Sequence, residues 1–379
     1  MKKVVLIPDS FKGTLSSAQI CSIVGEKVNK YFPECEVVSI PVADGGEGSV
    51  DCFLTALGGE KIYETVKNPY FEDMTSFYGL IDGGRTAVIE MASCAGLPLV
   101  EDRKDPRKTT TYGVGQLILS AAARGVKKII VGLGGSSTND GGCGAAAAVG
   151  IRFFNKKGEA FIPTGGTTHD IVSIDFSGRN KALEGIEIVT MCDIDNPMYG
   201  PTGASHVFGP QKGADPEMVL FLDEGIKNLC EVIEKDKGVD LSRVPGGGAA
   251  GAMGAGMIAF FDSRLQMGIQ TVLDTVGFDE VICDADMIIT GEGKLDSQSL
   301  RGKVVIGVAE RAKKQGKTVT VIVGGADDDS IEAAYDVGVT SVFTINRLPM
   351  DFSESRHRSA ENLAYTADNI MRLIRSVSR

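Results

Sequence analysis

The sequence has no tryptophan and only three histidines among its 379 residues, and its eight cysteines are scattered singly along the chain. No two cysteines form a CxxC pair, so the spacing argues against a structural zinc site. A disulfide framework is also not expected in a chain of this length without a secretion signal. We therefore expect reduced thiols and a cytoplasmic protein.

Long apolar runs and positive charge are scarce as well. No run approaches the roughly 20 residues that a membrane helix requires, and a strand is predicted at residues 3–7, so no signal peptide is expected. The net charge of −11 argues against a nucleic-acid surface or an anionic membrane as partner. The expected partners are small molecules, and an anionic one would need a local positive site.

Strand and helix patterns alternate at both ends of the chain. Near the amino terminus, strands are predicted at 3–7 and 36–42 around a helix at 16–31, with Ser16 or Ser17 as its N-cap. Near the carboxyl terminus, strands at 286–290, 318–323 and 339–345 alternate with helices at 304–315, 330–337 and 355–376. This alternation is typical of a parallel sheet with helices on both faces.

The middle of the chain is more mixed. Strands are predicted at 86–91, 128–131 and 186–191, and helices near 110–124 and 216–235. We therefore expect a two-domain α/β fold. Residues 1–65 and 285–379 would form a discontinuous, doubly wound parallel-sheet domain of the flavodoxin or Rossmann type. Residues 66–284 would form an inserted mixed α/β domain, with the active site in the cleft between the two.

The stretch GLGGSSTNDGG at 132–142 is the most informative part of the sequence. It follows a predicted buried strand and leads into a helix of small residues. Glycines let backbone N–H groups approach a ligand closely, and a helix N-terminus adds a positive dipole end. Serine and threonine hydroxyls supply donors, and Asp140 supplies a metal or proton acceptor. The combination suits a phosphate, whereas an ordinary structural turn is the alternative.

Four other loops that follow predicted strands combine glycine with a charged residue, at 8–13, 43–48, 290–294 and 324–327. Ligands of open parallel sheets bind beyond the carboxyl ends of the strands, so we expect these loops to share a cleft. Lys12 suits a phosphate or carboxylate, and a solvated surface lysine is the alternative. Asp44 and Glu47 could hold a hydrated Mg²⁺ or cap the following helix.

Two further groups of charged residues follow predicted strands. Asp193 and Asp195 are candidates for a metal ligand or a general base, with an Asx turn before Pro197 as the alternative. Glu292, Lys294 and Asp296 repeat the pattern with mixed charge, so a structural salt-bridge network is a serious rival.

Two familiar nucleotide-binding motifs are excluded. No Gly-Lys pair has the neighbours that a Walker A loop requires. Residues 246–251 match GxGxxG, but no strand is predicted before them, so the context of a dinucleotide-binding loop fails. We interpret this segment as the glycine-rich start of a helix.

Taken together, these motifs make the chain closely similar to the bacterial type I glycerate kinases. The matching stretches occur in order along most of the chain, at 8–13, 41–48, 109–113, 132–142, 193–197, 207–213 and 290–298. The departures are small: position 137 is Ser where many relatives would have Ala, and position 294 is Lys where Arg is frequent. Neither removes a charge or a needed glycine.

The resemblance implies a kinase that transfers the γ-phosphate of ATP to a hydroxyl of D-glycerate with Mg²⁺. The expected product is 2-phosphoglycerate, with 3-phosphoglycerate as the alternative. Phosphoryl transfer needs positioning and charge neutralisation. We therefore predict Asp193 as the base and Lys12 as a neutralising cation. The residues predicted to bind phosphate are Gly134, Gly135, Ser136, Ser137, Thr138, Asn139 and Asp140.

The remaining acids and one lysine are predicted to position substrate or metal. This group comprises Asp44, Glu47, Asp195, Glu292, Lys294 and Asp296, with Asp44 and Asp195 as the Mg²⁺ ligands. A homodimer is left open. The main rival function is a non-catalytic sensor of a small hydroxy acid or a phosphorylated metabolite, which would not need several acids for Mg²⁺. A nicotinamide-dependent dehydrogenase is disfavoured by the failed GxGxxG context, and a kinase acting on a related hydroxy acid stays open.

Overall fold

The computed structural model describes residues 1–43, 45–348 and 350–378. Along these residues the strands are β1 (Lys3–Pro8), β2 (Glu36–Ser39), β3 (Glu60–Lys67), β4 (Asp73–Ile81), β5 (Thr86–Glu90), β6 (Lys128–Gly132), β7 (Arg152–Phe154), β8 (Ala160–Phe161), β9 (Ser173–Asp175), β10 (Glu187–Met191), β11 (Arg264–Gln266), β12 (Met287–Leu295), β13 (Val319–Ala326) and β14 (Ser341–Thr344).

The α-helices alternate with these strands through much of the chain. They are α1 (Ser17–Tyr31), α2 (Ser49–Leu57), α3 (Ala92–Ala95), α4 (Tyr112–Ala123), α5 (Cys143–Ala148), α6 (Ala204–Phe208), α7 (Pro216–Lys237), α8 (Ala249–Phe261), α9 (Gly268–Thr275), α10 (Phe278–Val281), α11 (Val304–Lys314), α12 (Asp328–Val337), α13 (Phe352–Ser355) and α14 (Ser359–Val377). Within the described ranges, none of them combines the length and the apolar character needed to cross a bilayer.

Contacts between residues divide the described chain into two compact units. The first comprises residues 1–43, 55–57 and 267–378, and the second comprises 45–54 and 58–266. Both units are α/β structures containing parallel strands, which confirms the mixed α/β character of the predicted fold. The predicted domain boundaries at 65 and 285, and the predicted cleft site, stay predictions.

The first unit is built on a five-stranded sheet in the order β14-β13-β12-β1-β2, and every neighbouring pair is parallel. Helix α1 has Ser16, one of the two predicted residues, as its N-cap, and Ser16 forms a capping box with Gln19. The Ser16 hydroxyl accepts from the N–H of Gln19 at 3.2 Å, and the Gln19 side chain accepts from the N–H of Ser16 at 2.9 Å. Apolar residues of α1 and α14, including Val28 and Leu363, belong to the core of this unit.

The predictions of loops at 290–294 and 324–327 were largely wrong, because strands β12 and β13 continue through them. Their pairing extends to Leu295 and Ala326. Glycines in these stretches lack the side chains that mark a strand. They instead allow close backbone contact: a Cβ on Gly324 would lie 2.4 Å from the carbonyl oxygen of Gly293. The helix predicted at 355–376 is also interrupted, by a 3₁₀ turn at Arg356–Arg358 between α13 and α14.

The second unit contains a mixed six-stranded sheet in the order β11-β10-β6-β5-β4-β3. Strands β11, β10, β6 and β5 are parallel to one another, whereas β4 pairs antiparallel with β5 and β3 pairs antiparallel with β4. Helices α4 and α5 pack closely because both are rich in small residues; a Cβ on Gly115 would lie 2.3 Å from the carbonyl oxygen of Ala145. A small antiparallel sheet, β8-β7-β9, completes this unit.

Candidate active site

Two glycine segments of the second unit lie against each other where β6 ends. The N–H of Gly134 donates to the carbonyl of Gly45 at 3.0 Å. A Cβ on Gly132 would lie 2.2 Å from the oxygen of Gly45, and one on Gly134 would lie 2.5 Å from the Cα of Gly46. Because the obstacle is backbone in both cases, the sequence must place glycine at both positions for the segments to meet.

A glutamate at the carboxyl end of β5 holds the other end of the segment 45–48. The Glu90 carboxylate, at the end of β5, accepts from the N–H of Gly48 at 3.2 Å and from that of Val50 at 2.5 Å. It thereby satisfies donors at the first turn of α2. Burial raises the pKa of Glu90, although these hydrogen bonds oppose the shift.

A pocket of about 370 Å³ opens beside these glycines. Its walls come from the loops that follow β6 and β10, a 3₁₀ turn at Pro210–Lys212, the start of α8 and the segment after Gly45. The lining residues are Gly46, Glu47, Leu133, Gly134, Gly135, Ser136, Met191, Cys192, Asp193, Ile194, Phe208, Gln211, Lys212, Ala249 and Ala250. Helix α8 begins at Ala249, which confirms that the GxGxxG segment precedes and enters a helix.

The structure divides the predicted phosphate-binding stretch into two parts. Gly134, Gly135 and Ser136 line the pocket, whereas the four residues from 137 to 140 are fully buried and are not among its lining residues. The Ser137 hydroxyl donates to the carbonyl of Ala95 at 2.9 Å. The amide of Asn139 donates to the Ser205 hydroxyl at 3.1 Å. These contacts hold the loop in place from behind.

Asp140 has the most extensive set of contacts in the loop. One carboxylate oxygen accepts from the N–H and the hydroxyl of Thr111, each at 2.8 Å, and from the N–H of Gly144 at 3.2 Å. The other oxygen accepts from the N–H of Gly142 at 3.1 Å. Burial raises the pKa of Asp140, and the four hydrogen bonds oppose that shift. The carboxylate therefore joins the loop to the starts of α4 and α5.

The predicted residues that follow β10 occupy different positions. Asp193 is half-buried and lines the pocket, whereas Asp195 is exposed and is not one of the described lining residues. Cys192 anchors this segment, because its thiol donates to the carbonyl of Gly246 at 3.7 Å. Burial raises the pKa of that thiol to about 11. Glu47 is exposed and reaches the same pocket from the segment after Gly45.

Lys212 is a pocket residue that sequence reasoning missed. Its ammonium donates to the Ser136 hydroxyl at 2.9 Å and to the carbonyl of Thr138 at 2.6 Å, and its side chain is almost wholly buried. This burial lowers the pKa of Lys212 to about 7, although the charge of Asp140 raises it. The available signal was its place in the matching stretch 207–213, but nothing in that stretch distinguishes a buried lysine from an exposed one.

Four other predicted residues belong to the first unit. Lys12 is exposed on the loop after β1. Glu292 is buried on β12, and one of its carboxylate oxygens has no hydrogen-bond partner in the described structure. Burial raises the pKa of Glu292 to about 7, and the charge of Asp9 contributes to the same shift.

The other two predicted residues of this unit make local contacts. The ammonium of Lys294 lies 3.1 Å from the carboxylate of Asp327, and both side chains are more than half exposed. Asp296 accepts from the N–H of Gln298 at 2.9 Å, which is an Asx turn.

The donor set of the pocket is compatible with the metal of a metal–nucleotide complex. No group of three or more His, Cys, Asp or Glu side chains in the described ranges is arranged to hold a metal ion. Mg²⁺ bound with a nucleotide usually takes only one or two protein carboxylates, with phosphate oxygens and water as the other ligands. Glu47 and Asp193 supply hard oxygen donors in the pocket. Asp44, the other predicted Mg²⁺ ligand besides Asp195, lies outside the described residues.

Comparisons with known proteins cover nearly the whole chain. The model of the glycerate kinase family matches residues 4–375. The chain is 45% identical to a glycerate kinase of Bacillus cereus over 97% of both proteins. It is 40% identical to glycerate 2-kinase of Escherichia coli, again over 97% of each.

A solved structure agrees with these matches. The crystal structure of a Salmonella typhimurium LT2 protein described as glycerate kinase 2 superposes with a TM-score of 0.88 at 38% identity, covering 100% of this chain and 99% of the other. The resemblance inferred from the sequence motifs is thus confirmed. The protein is a kinase of the class with an alcohol group as acceptor, and the chain belongs to the glycerate kinase family.

Proposed function

We propose that this protein transfers the γ-phosphate of ATP, bound with Mg²⁺, to the C2 hydroxyl of D-glycerate to give 2-phosphoglycerate. Transfer to the C3 hydroxyl, giving 3-phosphoglycerate, is the alternative. One observation carries the proposal: the glycine loop and two carboxylates, Glu47 and Asp193, line one pocket of about 370 Å³. That volume falls within the usual range for small-molecule sites.

The glycine loop supports this proposal through its backbone. The N–H of Gly134 already donates to the carbonyl of Gly45. Gly135 has no side chain to separate a ligand from its peptide group, and Ser136 adds a hydroxyl at the pocket wall. Since Asp140 and Glu90 fix the two meeting segments, the loop is preorganised before a ligand arrives. Preorganised donors aimed at phosphoryl oxygens are what phosphoryl transfer chiefly requires.

The carboxylates support the acceptor half of the reaction. In the proposal, Asp193 accepts the proton of the attacking glycerate hydroxyl, which makes the oxygen a better nucleophile as its bond to phosphorus forms. Glu47 supplies an oxygen donor for the Mg²⁺ of the nucleotide, which when bound neutralises phosphate charge. The roles predicted for Asp44, Asp195, Lys12, Glu292, Lys294 and Asp296 stay predictions.

The test is a direct assay of the purified protein with Mg·ATP. ADP release is followed with D-glycerate, without it, and with D-lactate, which keeps the carboxylate and the C2 hydroxyl but lacks the C3 hydroxyl. The product is examined by ³¹P NMR, in which coupling to one proton places the phosphate on C2 and coupling to two places it on C3. We expect ADP release that depends on D-glycerate and on Mg²⁺. The phosphorus of the product should be coupled to a single proton.

The same assay defines the results that count against the proposal. Coupling to two protons would replace the C2 product by the C3 product while keeping the kinase. Absence of turnover, together with measurable binding of D-glycerate, would favour the non-catalytic sensor. Faster turnover with another hydroxy acid would keep the kinase and change its acceptor.

A further inference from the structure

We infer that Lys212 is the pocket cation that contacts an anionic oxygen of a bound reactant, either a phosphate of the nucleotide or the carboxylate of glycerate. This inference rests on the proposed function. It assigns a binding role to a residue that no sequence pattern identified.

The ammonium group of Lys212 has a hydrogen-bond donor available for a ligand. A protonated lysine has three N–H donors. Two are used within the chain, on the Ser136 hydroxyl and the Thr138 carbonyl, and Lys212 itself lines the pocket beside Ser136. One donor is therefore left for a ligand. The two contacts also fix the side chain, so that little rotational freedom is lost on binding.

The positive charge of Lys212 is buried. Lys212 is 2% exposed, and burying an ammonium without a partner anion is costly. The hydrogen bonds that the described structure gives its ammonium are both to neutral groups, the Ser136 hydroxyl and the Thr138 carbonyl. The nearby Asp140 already accepts four hydrogen bonds from other groups. A purely structural role would be filled at lower cost by a neutral side chain.

An anionic ligand would supply the partner that the buried ammonium of Lys212 needs. The charge of Asp140 acts on Lys212. Among the described residues, the other titratable side chains that line the pocket are those of Asp193, Glu47 and Cys192. Since burial holds the pKa of Lys212 near 7, the free enzyme loses this cation as the pH rises through that value. A bound phosphate or carboxylate would stabilise the charged form and raise the pKa.

The experiment compares Lys212→Met and Lys212→Arg with the wild type, and uses Lys156→Met as the control for loss of an exposed lysine of the same unit. We measure kcat, KM for Mg·ATP and KM for D-glycerate. The expected loss in kcat/KM for Lys212→Met is about 10²–10³-fold, as for removal of one oriented donor to a developing charge. A rise confined to the KM of ATP identifies the phosphate as the anion, and a rise confined to that of glycerate identifies the carboxylate.

The pH profile separates a cation from a structural residue and from a base. The wild-type kcat/KM should fall above about pH 7, and Lys212→Arg, which stays charged, should move that fall to higher pH. The inference would be overturned if kcat/KM instead fell as the pH was lowered through about 7 and Lys212→Arg abolished that fall. Such a profile would make the neutral amine of Lys212 the active form. Folded Lys212→Met with all three constants within threefold of Lys156→Met would overturn it as well.

A measurement on the wild type covers the case in which Lys212→Met does not fold. The protein is acetylated at pH 8, and modification of Lys212 is followed by peptide mass spectrometry with Mg·ADP, D-glycerate or no ligand. Protection by at least one ligand, with Lys156 unchanged, supports the inference, and equal rates at Lys212 under all conditions contradict it. This arm does not require turnover, so its failure can be told apart from failure of the proposed reaction.

Discussion

Asp140 accepts hydrogen bonds from both the backbone N–H and the hydroxyl of Thr111, each at 2.8 Å. Thr111 is the residue before α4, and the same carboxylate also receives the N–H of Gly144 in α5. Besides its glycine contacts, the loop beside the pocket is therefore held by the starts of two helices. Any change at Asp140 should affect the loop through these helices.

The substitution Asp140→Asn should destabilise the second unit. The amide keeps one acceptor but turns an NH₂ group toward at least one of the four donors, leaving buried groups unsatisfied. We expect a cost of about 1–3 kcal/mol, measured as a lower urea midpoint. Thr111→Val, which removes one of the donors, is the matched variant and should cost less. Equal midpoints for wild type and Asp140→Asn would contradict the scaffolding role.

The substitution Gly134→Ala should impair activity. The added methyl would lie 2.5 Å from the Cα of Gly46, so one of the two segments must move. We expect kcat/KM to fall at least about tenfold, because a small displacement of positioning groups is costly in phosphoryl transfer. Gly25→Ala, in helix α1, is the control. Its Cβ would lie at ordinary contact distance from two side chains, 3.6 Å from Val37 and 3.7 Å from Leu6, and alanine is the better helix former.

The two glycine variants should have different effects on the protein. Gly25→Ala should leave kcat/KM unchanged and raise the free energy of unfolding by roughly 0.5–1 kcal/mol. If Gly134→Ala kept full activity at unchanged stability, the contact between the two glycine segments would not matter for the site.

The substitution Asp193→Asn tests the proposed base. Its side chain keeps its size and polarity but no longer accepts a proton, so we expect kcat to fall by about 10²-fold or more. The KM of D-glycerate should change much less. Glu184→Gln, which removes an exposed carboxylate of the same unit, is the control for loss of a surface charge. A loss below about threefold in kcat would remove the role of base from Asp193.

Glu292 should make the stability of the first unit dependent on pH. Its pKa is about 7 in the folded protein, against an ordinary value of 4.5. Between these values the folded state binds more protons than the unfolded state, so stability falls as the pH rises from 4.5 to 7. The full loss amounts to about 3 kcal/mol at one pKa unit per 1.36 kcal/mol.

Denaturation of Glu292→Gln across this range provides the measurement. The variant should lose the fall in stability and exceed the wild type above pH 7, while Glu34→Gln, which changes an exposed side chain, should follow the wild-type curve. Parallel curves for wild type and Glu292→Gln would show that the carboxyl group titrates normally.

Local signals predicted the fold where each element is specified by its own residues. The sequence predicts helix α1 with a serine as its N-cap, and the structure shows that Ser16 is this cap. The sequence predicts too short a strand β12, because Gly291 and Gly293 carry no strand signal, whereas pairing with β13 extends the strand through them. Pairing of this kind depends on residues distant in the chain, which the local sequence does not show.

The site was predicted only in part, for the same reason. The glycine loop is a local pattern, and its first residues do line the pocket. Ser137 and Ser136 are chemically identical, but only the structure shows that one is enclosed by Ala95 and the other faces the pocket. Lys212 and Ser136 are 76 residues apart, so their contact has no signature in the sequence.

The start of α8 limits how the pocket can be redesigned. Ala250, Gly251 and Ala252 all have φ between 54° and 67°, the left-handed region in which side chains crowd the backbone. A Cβ on Gly251 would lie 2.1 Å from the carbonyl oxygen of Thr138. A side chain at position 251 would therefore require this turn or the loop at Thr138 to move. Attempts to widen acceptor choice by mutagenesis should begin at Phe208 or Gln211 on the opposite elements, where ordinary helical backbone can accept a different side chain.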